Sequence, residues 1–77
     1  MNQRRLKLTS TNGGWFRNPT LRLSTVSLPF YIDDEKYETC LFGPSDSQVI
    51  ERYTTFDEAV IGHATYSVKY GVTNVGI

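Results

Sequence analysis

Residues Arg52 to His63 read Arg-Tyr-Thr-Thr-Phe-Asp-Glu-Ala-Val-Ile-Gly-His, and within these twelve positions a strand has to end and a helix has to begin. Thr55 and Glu58 stand at the spacing that lets a threonine hydroxyl accept from the amide three residues on, while the glutamate carboxylate accepts from the threonine's own amide. Two otherwise unpaired amides are satisfied in this way. Asp57 and Glu58 lie in the first turn, where the partial positive charge of the helix end favours carboxylates, and Lys69 lies in the last turn, where a cation is favoured. Gly71 is suited to the left-handed conformation that closes a helix. A start at Thr54 forfeits the glutamate partner, so the spacing predicts a helix that opens after Thr55 and stops before Gly71.

At about 100° per residue, Phe56, Ala59, Val60, His63, Ala64, Tyr66, Ser67 and Tyr70 gather on one side, with Glu58, Gly62, Thr65 and Lys69 opposite. That side is the expected core face. Ile61 and Val68 sit a heptad apart on a flank, where they either complete the edge of the core or form a small ridge for a partner.

Upstream the period changes to two. Val26, Leu28, Phe30 and Ile32 alternate with Ser27, Pro29 and Tyr31, which describes a half-buried strand with one apolar face. Pro29 cannot donate to a ladder, so the strand is expected at an edge, or broken, at that point. An acidic turn, Asp33-Asp34-Glu35, leads to a second strand, Lys36 to Phe42, with Tyr37, Thr39 and Leu41 on one face and Glu38, Cys40 and Phe42 on the other. Gly43-Pro44-Ser45-Asp46-Ser47 is turn chemistry, and Gln48 to Tyr53 returns as a third strand. The expected fold class is α+β: a small antiparallel three-stranded meander, with or without an extra N-terminal ribbon, packed on one C-terminal helix.

The chain of 77 residues is neutral in sum but divided in charge. Residues 1 to 22 hold Arg4, Arg5, Lys7, Arg17 and Arg22 and no acid, whereas residues 23 to 77 hold three basic residues against eight acidic ones. This divides the chain into a basic N-terminal arm, 1–22, and a β-β-β-α body, 23–77. The arm is expected to dock on its own body, on a second copy, or on nucleic acid or another acidic partner. Asn12-Gly13 is a two-residue hairpin signal that would pair Arg5 to Ser10 with Trp15 to Arg17. Otherwise the segment is a flexible arm with an aromatic anchor. Candidate partner contacts are Arg4, Arg5, Lys7, Trp15, Phe16 and Arg17, with Asp33, Asp34 and Glu35 as the complementary surface.

Chemistry leaves few footholds. Cys40 is the only cysteine, which excludes an internal disulfide and points to a reducing compartment, with Cys40 as a small buried hydrophobe. His63 is the only histidine, so a two-histidine metal site is excluded. It is expected in the core, with Glu38, Arg52 and His63 meeting between sheet and helix as a structural polar cluster. Ser24, Ser27 and Thr39 lie on strands without a nucleophile elbow. Gly13-Gly14 lacks the lysine and following helix of a phosphate loop. No catalytic residue, metal or cofactor is expected. No stretch is long enough to span a bilayer, and the basic, interrupted Met1 to Leu8 does not read as a signal peptide.

Ser24-Thr25-Val26, Tyr37-Glu38-Thr39, Leu41-Phe42-Gly43, Arg52-Tyr53-Thr54-Thr55 and Glu58-Ala59-x-x-Gly62-His63, in this order, resemble a family of short proteins of unassigned function encoded by tailed phages and prophages. The similarity spans Ser24 to His63. Members usually carry an Asp-His pair shortly after the first strand, where this chain has Phe30-Tyr31-Ile32 followed by Asp33-Asp34, and the basic arm has no counterpart. The resemblance implies a phage origin and a β-rich sheet with one helix, and it supplies no catalytic residue. The leading expectation is a non-enzymatic phage protein in the host bacterial cytoplasm that binds a host protein of defence or transcription and inhibits or redirects it. The alternatives are a minor virion component whose basic arm serves assembly, which could be a homo-oligomer, and a nucleic-acid-binding accessory protein.

Overall fold

The computed structural model describes residues 4–12, 20–32 and 34–75. Within them lie β1 (Lys7–Thr11), β2 (Arg22–Ile32), β3 (Glu35–Phe42), β4 (Ser47–Tyr53), α1 (Phe56–Tyr70) and β5 (Thr73–Asn74). The strands form one antiparallel sheet in the order β4-β3-β2-β1-β5. The fold is α+β as expected, with five strands among the described residues where the sequence suggested three.

The helix begins and ends where its caps require. Glu58 N donates to Thr55 Oγ1 (3.1 Å) and Thr55 N donates to Glu58 Oε1 (3.2 Å), which closes the capping box. Gly71 terminates α1 at φ 66°, and its amide and that of Val72 return to carbonyls of the last turn. From the β4 edge, α1 crosses one face of the sheet and delivers the chain to β5 at the far edge. Among the described residues no helix covers the other face.

The N-terminal segment departs most from expectation. Lys7–Thr11 is not a free arm: β1 lies inside the sheet, paired with β2 (Leu8↔Thr25, Ser10↔Leu23) and with β5 (Ser10↔Asn74). The reason is a period-two pattern, Leu6-x-Leu8-x-Ser10, which puts these side chains on the helix side. Leu6 packs against the core of Tyr37, Tyr53 and Ala59. The proposed pairing with Trp15 to Arg17 is replaced by pairing with Arg22 to Val26, across a longer connection whose ends are held by Asn12. Its Oδ1 accepts from the amides of Thr20 and Leu21 (both 2.9 Å), and its Nδ2 donates to Thr20 Oγ1 (2.7 Å). Trp15, Phe16, Arg17 and Asp33 lie outside the described residues.

Two face assignments also change. On β2, Leu23 and Thr25 are fully buried on the helix side, while Val26 pairs with Lys7 and Glu38 on the open side. The apolar set that begins at Val26 therefore does not meet the helix there. On α1, Ala59 and His63 are buried and Phe56, Tyr66, Ser67 and Tyr70 partly so, but Val60 and Ala64 are exposed while Gly62, expected opposite, abuts Tyr53, because the face touching the sheet is turned toward Gly62 relative to the predicted stripe. On β3 the division into two faces stands, but the side under the helix is that of Tyr37 and Thr39, which are buried, while Glu38 and Cys40, expected in the interior, are on the open side. Pro29 lies beyond the last β1 partner of β2, where β2 is locally an edge, and the β2–β3 register is irregular between Ser27 and Ile32.

That end of the β2–β3 pair runs past its neighbours. β1 pairs no further than Val26 and β4 no further than Tyr37; beyond them Leu28–Tyr31 bulge opposite Lys36 alone, and Ile32 pairs with Glu35 to close a short, irregular ribbon. Its turn carries Asp34 at φ 69°, a left-handed conformation that aspartate tolerates better than most residues. The described body measures 43 × 23 × 19 Å.

Candidate functional site

The expected cluster of Glu38, Arg52 and His63 is divided by the sheet itself. Glu38 and Arg52 are cross-strand partners on the open face, joined by a 3.0 Å Arg52 Nε to Glu38 Oε2 ion pair. His63 projects onto the opposite face from α1. Alternation makes this inevitable: Thr39 and Glu38 are adjacent on β3, so only one of them can face the helix.

What His63 meets instead is a chain of hydroxyls supplied by every long strand. Its Nε2 lies 2.8 Å from Ser10 Oγ on β1, and its Nδ1 lies 2.7 Å from Thr25 Oγ1 on β2. Thr25 Oγ1 is 2.5 Å from Thr39 Oγ1 on β3, and Thr39 Oγ1 is 3.0 Å from the phenol of Tyr53 on β4. Ser67, one turn along α1, donates to Ser10 Oγ at 3.0 Å. Ser10, Thr25 and Thr39 are wholly buried and His63 is 3% exposed.

The proton count fixes a direction. A neutral imidazole has one donor and one acceptor nitrogen. With Ser67 donating to Ser10, the run that satisfies each hydroxyl in turn is Ser10 to Nε2, Nδ1–H to Thr25, Thr25 to Thr39 and Thr39 to Tyr53. The Nδ1–H tautomer is thus assigned from the network. Among the described residues no buried side-chain nitrogen or oxygen lacks a partner. Burial pulls the His63 pKa below its ordinary value, because its partners are neutral and the charged ring would be desolvated. Burial pushes the Tyr53 phenol up, with a smaller push from the Glu51 carboxylate and a counter-pull from the Thr39 hydrogen bond. The chain is therefore uncharged throughout at neutral pH.

Gly62 explains how Tyr53 reaches this chain. A Cβ at position 62 would overlap the Tyr53 phenol, so the bare helix surface there is the seat of the ring. The Gly62-His63 dipeptide thus works as a unit: one residue admits the last member of the chain and the next supplies its centre. Sequence reading placed His63 in the core but missed Ser10, Thr25, Thr39, Tyr53 and Ser67 as members of its network. Only the recurrence of a small hydroxyl residue at inward strand positions offered a signal.

The remaining candidate contacts separate into used and free groups. The guanidinium of Arg4 lies 3.7 Å from the Phe56 ring centroid, and Arg4 O accepts from Tyr37 Oη at 2.8 Å, so Arg4 anchors the chain to the core. Phe56 in turn meets Tyr37 edge to face, with centroids 6.0 Å apart. Arg5 and Lys7 are exposed, at the end of β1 from which the ribbon projects, and Asp34 is exposed at the ribbon's turn. On the open face Arg22 stacks on Phe42 (4.7 Å), and the Cys40 thiol, only half-buried, donates to Glu38 Oε1 (3.3 Å). Burial, then the Glu38 hydrogen bond and charge, push that thiol up to about 11, against a smaller opposing pull from Arg52. A thiol so held is a poor nucleophile at neutral pH. Among the described residues no three His, Cys, Asp or Glu side chains converge as a metal cage, and no helix is long and apolar enough to cross a membrane.

Set against protein-family models, curated proteins and solved structures, the chain finds no match.

Proposed function

We propose that this chain is a non-enzymatic, phage-encoded binding protein that docks on a protein of the bacterial host, of defence or transcription, and inhibits or redirects it. The observation that carries the reading is the division of labour in the fold. The one imidazole is sealed under α1 with both ring nitrogens engaged by hydroxyls, whereas the turn of the β2–β3 ribbon, beyond the last partners of β1 and β4, carries exposed Asp34 and half-buried Glu35. A sealed neutral network has no access for a substrate, and an exposed turn on a rigid sheet is a common form of recognition surface. The acidic tip suits a basic surface, the kind found on enzymes that handle nucleic acid. Exposed Arg5 and Lys7 at the ribbon's base supply a second, oppositely charged contact. The phage origin is proposed from the resemblance of the motifs between Ser24 and His63 alone.

Affinity capture of the tagged chain from infected cells, compared with the double variant Asp34→Lys, Glu35→Lys, tests the reading. One host protein enriched by the parent and lost with the variant is the expected result. Equal recovery by both would show that the ribbon is not the contact. Finding the chain in many copies in purified particles would replace this reading with that of a virion component.

A further inference from the structure

The outward side of α1 carries an apolar line that the fold does not use. Ile61 is 66% exposed, Val68 is 84% exposed, and Ala64 lies exposed between them. Their spacing, three then four residues, is that of the a and d positions of a heptad, and about 100° per residue sets this line opposite Ala59, His63 and Tyr70 on the sheet side. Thr65 and Val60, also exposed, flank it. No charged residue occurs between Glu58 and Lys69. The ends are charged with opposite sign: Asp57 and Glu58 in the first turn, Lys69 in the last.

We infer that this face pairs with the same face of a second copy of the chain, helix against helix and antiparallel. A two-fold contact must be complementary to itself. A helix that is acidic at one end, basic at the other and uncharged between meets that condition only when its copy runs the opposite way. With the axis at Ala64, Ile61 of one copy meets the Val68 turn of the other. Glu58 and Lys69, which lie on the same flank, then come level across the pair, six residues before the axis and five after it. Ala64 at the centre permits close approach of the two backbones. Fifteen residues span about 22 Å, and a single helix seam of that length falls short of the roughly 1,600 Å² of a standard interface, so the association is of micromolar strength or weaker. The surface is separate from the β2–β3 ribbon, so each stands or falls without the other.

Sedimentation equilibrium of the full chain, from low micromolar to near-millimolar concentration, tests this. The expected result is an average mass that climbs toward twice that of the chain, with Ile61→Asp and Val68→Asp each weakening association at least tenfold while helical circular dichroism is retained. Lys69→Glu, which sets like charges opposite one another, weakens it less and in a salt-dependent way. In a Cys40→Ser background, Ala64→Cys forms an oxidised dimer readily and Asp46→Cys, in the β3–β4 turn, does not. A single-chain mass at every concentration overturns the inference. So does a dimer that tolerates both aspartate variants, or equal cross-linking at positions 46 and 64. The Asp34→Lys, Glu35→Lys variant should dimerise as the parent does, so loss of host-protein capture and loss of pairing are distinguishable.

Discussion

On the face beneath α1, Ser10, Thr25 and Thr39 are neutral hydroxyls shut away from solvent and strung on His63; on the opposite face, Glu38 and Arg52 carry full charges and keep contact with water. Both faces are polar, and both pair their polar groups across strands. They differ in what breaking a pair costs. A buried donor or acceptor left alone cannot turn to water, so its desolvation is lost outright, whereas an exposed ion exchanges one partner for solvent. The inner chain should therefore decide whether the sheet and helix stay docked, and the outer pair should hardly matter.

His63→Ala gives the largest expected effect, a loss of about 3 to 5 kcal/mol, because it opens a cavity and strands both Ser10 and Thr25. A domain of this size has only a few kcal/mol in reserve, so the variant should be largely unfolded by circular dichroism at 25 °C. A well-folded variant with a small shift in urea midpoint would erase the contrast between the faces. Gly62→Ala comes next, at about 1 to 3 kcal/mol, since the added methyl displaces the Tyr53 ring from its seat. The companion Tyr53→Phe should lose less, and if both variants match the parent in urea, Tyr53 is not the terminus of the chain.

Acid should act through the inner face. The folded-state pKa of His63 is lowered, so its contribution is fully present above the unfolded value of 6.5 and falls as the pH drops below it, by about 1.4 kcal/mol per unit until the folded-state pKa is reached. The carboxylates are common to parent and variant, so a His63→Gln comparison isolates this slope between pH 6.5 and 5. An unchanged slope in the variant would assign acid sensitivity elsewhere. The smallest effect is expected from Arg52→Ala, under about 1 kcal/mol for a partly exposed pair, with a loss closer to that of Gly62→Ala showing that the open face is less solvated than its exposure indicates.

Both proposed recognition surfaces lie at the periphery of a domain whose centre is polar yet closed. The ribbon tip at Asp34 and the Ile61–Val68 ridge project from opposite parts of the chain, and neither shares a residue with the His63 network. Binding at one surface can change without unfolding the core.

Much of this was legible from residues close together in the chain. The Thr55/Glu58 cap, the Gly71 stop, the grouping of Tyr37 with Thr39 on one face of β3, and the consequence of Pro29 all follow from interactions within a few residues, where spacing alone sets geometry. The antiparallel order of β2, β3 and β4 was equally readable, because short turns leave adjacent strands little choice. The rest depended on contacts between distant residues. Nothing local tells that Lys7–Thr11 inserts between β2 and β5, since its basic composition fits a free arm as well as a strand. Nor does it tell that His63 meets Ser10, 53 residues away, in place of Glu38. Strand alternation limits each residue to one of two faces, but which face lies under the helix is decided when the whole sheet closes. At that point the buried hydroxyls find an imidazole between them, and the charged pair keeps its water.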